Sequence, residues 1–81
     1  MFVRTAEKLV KSRLKDPKSA KFKDTYFTNL NGSSTVCGQV NSKNGFGGFS
    51  GYLNFITIIG LEQTILKTDP YDFTKLWREF C

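Results

Sequence analysis

The chain has 81 residues, 12 Lys and Arg against 7 Asp and Glu, two cysteines and no histidine. This length makes one domain with a small core, and the missing histidine excludes every mechanism built on an imidazole base, including Ser-His-Asp and Cys-His arrangements and the common zinc sites. The net charge of +5 is unevenly placed, because eight of the basic residues precede residue 24 with only Glu7 and Asp16 against them.

From Val3 to Lys15, the residues Val3, Ala6, Leu9, Val10 and Leu14 recur at three- and four-residue steps and line one face of a helix. Pro17 is expected to stop it, since the residue before a proline is pushed out of helical geometry. Arg4, Lys8, Lys11 and Lys15 fall together on another face and form a candidate basic surface continuing toward Lys18, Lys21 and Lys23. Such a stripe can meet phosphates, with strong salt dependence, or it can simply be a solvated helix face.

Strands are expected over 22–30, 34–42, 49–59 and 63–68, punctuated by the pairs Asn31-Gly32 and Asn44-Gly45. Asn-Gly is a strong hairpin signal, because both residues tolerate the positive φ of a type I′ turn. Asn31-Gly32-Ser33 is also formally a glycosylation sequon, which a hairpin turn accounts for equally well. The stretch 36–52 holds five of the seven glycines. Its segment Gly45-Phe46-Gly47-Gly48-Phe49-Ser50-Gly51 fails the GxGxxG pattern at its last position and lacks the GK[ST] ending of a phosphate loop. It reads either as a recognition loop presenting Phe46 and Phe49, with Lys43 and Tyr52 at its borders, or as a hairpin that folds its phenylalanines onto the core.

A last helix is expected after Asp69 as cap, Pro70 at the first helical position and Asp72 in the first turn. Phe73, Leu76, Trp77 and Phe80 form its apolar stripe, and it delivers Cys81 on the same side. A chain ending on cysteine after such a helix invites pairing with Cys37, a staple on the order of 3 to 4 kcal/mol. The alternative is two idle thiols in a reducing cytosol. No apolar run approaches the roughly 20 residues that cross a bilayer. No signal-peptide h-region follows Met1, so the chain reads either as cytoplasmic or as a mature domain whose export signal was replaced.

Leu14-Lys15-Asp16-Pro17-Lys18-Ser19-Ala20-Lys21-Phe22, then Val36-Cys37-Gly38-Gln39-Val40-Asn41-Ser42-Lys43-Asn44-Gly45-Phe46-Gly47-Gly48-Phe49-Ser50-Gly51-Tyr52, then Phe55-Ile56, and Trp77 with Cys81 resemble a family of small bacterial and prophage-encoded proteins. Many of these are exported or lipoprotein-like, and they have no assigned activity. The resemblance implies an exported α+β domain with a Cys37–Cys81 disulfide, in the periplasm or otherwise outside the cytoplasm.

The expected fold is α+β, an antiparallel meander of three to four strands with an N-terminal and a C-terminal helix. The expected function is a small non-enzymatic binding or inhibitory module acting by protein contact, of a phage-exclusion or immunity type. The alternative is a nucleic-acid binder using the basic N-terminal helix. No catalytic residue, cofactor or metal is expected, and oligomeric state is left open.

Overall fold

The computed structural model describes residues 2–43, 48 and 51–81, with Phe2 and Asn31 given by backbone alone. Four antiparallel strands, β1 (Lys21–Thr28), β2 (Thr35–Asn41), β3 (Leu53–Ile58) and β4 (Gln63–Leu66), form a sheet in the order β1-β2-β3-β4. Helix α1 (Phe2–Lys11) precedes them and α2 (Phe73–Phe80) follows, so the chain is an α+β meander.

The helices lie on opposite faces of the sheet. Ala6 and Val10 of α1 pack with Val36, Val40, Phe55 and Leu66, while Phe73 of α2 packs with Ile56, Ile58 and Ile65. Strand β3 is therefore enclosed from both sides. Phe55, Ile56, Thr57 and Ile58 are all buried, and for this reason the strand reads as a nearly unbroken apolar run rather than an alternating one. Its one buried hydroxyl meets a partner across the ladder, with Thr57 Oγ1 and Thr64 Oγ1 3.0 Å apart.

Helix α1 ends at Lys11, four residues before the expected Lys15. Ser12 Oγ donates to Leu9 O (2.6 Å), and the Arg13 and Leu14 N–H groups bond back only three residues, which tightens the chain out of α-helical geometry before Pro17 is reached. Pro17 instead opens a short 3₁₀ turn, Pro17–Ser19. Lys15 is consequently in a turn and not on the helical stripe.

The first hairpin turns at Asn31-Gly32, but through a 3₁₀ turn, Leu30–Gly32, and not the expected two-residue type I′ turn. The Ser33 N–H donates to Leu30 O (3.2 Å) and Gly32 takes φ +70°. Pairing stops at Thr28 opposite Thr35, so the connection is wider than a two-residue turn. The Asn44-Gly45 pair lies outside the described residues. A two-residue turn there would set Val40 opposite Phe49, whereas Val40 pairs with Leu53, a register four residues away.

β1 carries a bulge. Lys23 faces Gln39 and Tyr26 faces Cys37, leaving Asp24 and Thr25 against the single residue Gly38, with Asp24 at φ +52°. The extra residue turns Tyr26 onto the α2 face of the sheet, where its hydroxyl donates to Cys81 O (3.3 Å). Glycine at 38 makes the bulge fit, because a Cβ there would come within 2.9 Å of the Thr25 Cα and 3.2 Å of the Phe55 ring. Within the bulge the Thr25 hydroxyl is buried without a hydrogen-bond partner among the described residues.

The second helix begins at Phe73. Its N-cap is Asp72, which accepts from the Lys75 N–H (3.3 Å), rather than Asp69, and Pro70 lies in the preceding turn. Asp69 is drawn away by Arg13. The guanidinium donates from Nη2 to Oδ1 (2.8 Å) and from Nη1 to Oδ2 (2.9 Å) and to Thr64 O (2.9 Å), while the Leu66 N–H also donates to Oδ2 (3.0 Å). Hydrogen bonding from Arg13 holds the Asp69 carboxyl below its ordinary pKa and raises that of Arg13. A lowered carboxylate pKa contributes stability above the unfolded value near 4, and that contribution is lost as pH falls through the folded value. Asp69→Asn is therefore expected to cost on the order of 1 kcal/mol at pH 7, the pair being partly solvent-screened. The difference from the parent should shrink below about pH 4 in urea titrations; a difference that persists at pH 2 would assign the effect to packing.

Candidate functional site

The two cysteines meet. Cys37, fully buried on β2, and Cys81, directly after α2, form a disulfide with Cα atoms 6.1 Å apart. The bond fastens the end of α2 to the sheet and fixes how much of that face the helix covers.

What α2 leaves uncovered is polar. One register row crosses three strands and reaches the residue after the fourth: Lys23 on β1 faces Gln39 on β2, Gln39 faces Asn54 on β3, and the Lys67 N–H just beyond β4 donates to Asn54 O (3.1 Å). In its middle Gln39 Nε2 donates to Asn54 Oδ1 (3.0 Å). That bond leaves the Gln39 Oε1 acceptor and the Asn54 amide donors without a use inside the pair. Lysines occupy both ends because both outer strands are edges, where charged side chains protect against unwanted pairing.

Aromatic rings border this row on its two long sides. Tyr52, just before β3 and 45% exposed, has the Lys23 Nζ 5.2 Å from its ring centroid, within cation–π range. On the other side Trp77 of α2, half-buried against Phe73 with ring centroids 5.8 Å apart, separates two small grooves. One, of about 270 Å³, is lined by Asp24, Tyr26, Gly38, Gln39, Asn54 and Trp77; the other, of about 230 Å³, runs from Asn54 and Trp77 to Lys67 and Arg78. Lys23, Lys67 and Arg78 are thus arranged around the two amides, with Asp24 lining the groove beside Gln39. Lys43, beyond the end of β2, is tied instead to the turn before β1, its N–H donating to Ser19 Oγ (2.8 Å).

Of the residues singled out in the sequence, Tyr52 borders this surface through Lys23, Lys43 is bound to Ser19 beyond it, and Phe46 and Phe49 lie outside the described residues. Arg4, Lys8 and Lys11 share a shallow depression on α1 with Thr5 and Glu7, on the far side of the sheet, and Lys15 is not part of it. Gln39, Asn54, Lys23 and Lys67 escape sequence reading because they are 13 to 44 positions apart and meet only through strand register. The available signal was small: Gln39 and Asn54 are amides within the mostly apolar strands β2 and β3. Trp77 is legible as a packing residue but not as a wall of a surface groove.

Comparison with protein-family models, with curated proteins and with solved structures finds no match for the chain. Among the described residues no helix is long and apolar enough to cross a membrane.

Proposed function

We propose that this protein is a small non-enzymatic binding module that acts by protein contact in an oxidising compartment, through the sheet surface around Gln39 and Asn54. The observation that carries the reading is the polar row itself. Two amides are set in the middle of a sheet face beside Tyr52 and Trp77, residue types that anchor protein contacts, and the lysines lie at the ends, where a contact surface has its polar rim. The buried disulfide supports an extracytoplasmic setting, since structural disulfides persist where thiols are not kept reduced. An inhibitory or immunity-type role is one form such a module takes.

A second reading, nucleic-acid binding through α1, draws on the shared depression of Arg4, Lys8 and Lys11. Glu7 sits within that depression and weakens its positive field. A photo-crosslinking amino acid placed at position 52, and separately at position 8, tells the two apart in living cells. The expected result is a protease-sensitive, nuclease-resistant adduct from position 52 alone. An adduct from position 8 alone that nuclease removes would overturn the protein-contact reading.

A further inference from the structure

The ends of the polar row set a length. Neighbouring strands lie about 4.8 Å apart, so the backbones of Lys23 and Lys67, three strand spacings from one another, are separated by about 14 Å. An extended peptide rises about 3.3 Å per residue and turns every second side chain to the same side, so its residues i and i+4 share a face about 13 Å apart. Between them residue i+2 comes over the amide pair.

We propose that the row from Lys23 to Lys67 binds an extended segment of a partner protein carrying two acidic side chains four residues apart; this rests on the protein-contact reading above. Each carboxylate meets one of the terminal lysines. The Gln39 Oε1 and the Asn54 amide hydrogens, unused by their mutual bond, match the N–H and C=O of a peptide group crossing the middle. Trp77 walls the grooves on one side of the row, Tyr52 lies on the other beneath the Lys23 ammonium, and Arg78 adds a third cation at the Lys67 end.

Charge complementarity selects an acidic occupant, and ring geometry selects a peptide over a nucleic acid. Single-stranded nucleic acids are held by bases stacked on open aromatic faces. Here one face of Tyr52 already carries the Lys23 ammonium, and Trp77 is half-buried against Phe73. A spacing of two residues places carboxylates only about 7 Å apart and reaches one lysine at a time.

Two nine-residue peptides of identical composition test this, with aspartates four apart in one (Asp-Thr-Ser-Thr-Asp at its centre) and two apart in the other. Threonine keeps both extended. Titrated into isotopically labelled full-length protein at low salt, the four-apart peptide is expected to bind at least fivefold more tightly and to shift the side-chain amide signals of Gln39 and Asn54. Lys23→Glu and Lys67→Glu should each abolish the preference, whereas Lys8→Glu on α1 should leave it. The double variant Lys23→Glu/Lys67→Glu should in turn prefer a peptide with two lysines four apart, a gain that a misfolded protein does not produce.

Equal affinity for the two aspartate peptides would overturn the proposal, as would shifts confined to α1. Tighter binding of an oligodeoxythymidylate to the same amides would do so as well. If the peptides fail while position 52 still crosslinks to protein, the acidic-segment proposal falls and the protein-contact reading stands. If neither experiment gives a signal, both fall.

Discussion

Removing the disulfide, as Cys37→Ala with Cys81→Ser, is expected to lower stability by about 4 kcal/mol. The bond closes a loop with a sequence separation of 44, and loop-closure entropy released into the unfolded chain accounts for a loss of this size. A domain of 81 residues holds a net stability of about 4 to 12 kcal/mol, so the change consumes a large part of it. The midpoint of thermal unfolding should fall by at least about 15 °C. Alanine is the right replacement at position 37, since Cys37 is fully buried and a serine hydroxyl there would need a partner. A reducing agent should bring the parent close to the variant and leave the variant unchanged. Equal melting of parent and variant without reductant would show that α2 is held by packing alone.

This dependence explains why the surface around Gln39 and Asn54 stays open. An eight-residue helix is too short to be stable on its own and is kept by what it packs on. Phe73, Leu76, Trp77 and Phe80 supply an apolar stripe that reaches Ile56, Ile58 and Ile65, and the disulfide fixes the far end at Cys37. A helix free to shift along the strand direction would reach the row between the two lysines. The covalent bond thus fixes the position of α2 as well as adding stability.

Local patterns in the sequence were sufficient for the elements and insufficient for their register. The apolar period of α1, the Asn31-Gly32 turn and the stripe of α2 each depend on neighbours a few positions apart, and a helix, a chain reversal and a helix are found there, though with other bounds and another turn type. The ends of the helices moved because side chains made bonds that composition does not display. Ser12 closed α1 early, and Arg13 took Asp69 from the cap, leaving that role to Asp72. The bulge at Asp24 was hidden because a non-glycine residue adopts its positive φ; the accommodating glycine is on the neighbouring strand, at position 38. The polar row was hidden for a related reason. A two-residue turn at Asn44-Gly45 would have set Gln39 against Ser50, and only the register actually formed brings it to Asn54.

The single tryptophan is expected to carry the second large effect. Trp77→Ala removes a ring that packs on Phe73 at a 5.8 Å centroid distance and helps seal Ile56, Ile58 and Ile65 beneath α2. Full burial of such a ring is worth about 3 to 5 kcal/mol, and because Trp77 is only half-buried the lower end, roughly 3 kcal/mol, is expected in urea unfolding followed by circular dichroism. Trp77→Phe should recover most of it, since a smaller ring still stacks beside Phe73. The disulfide decides what happens next. With Cys37 and Cys81 joined, the alanine variant keeps α2 docked at its C-terminal end, so it should stay folded and protect the α2 amides from hydrogen exchange. Once reduced, the same variant has lost both the tether and the largest contact, and α2 amide protection should collapse before that of β2 and β3. The two changes should therefore be non-additive, as expected for groups that hold one element. A loss under about 1 kcal/mol, with exchange in α2 unchanged on reduction, would mean that Trp77 contributes little to packing. It would then have to be understood as a contact residue of the groove alone.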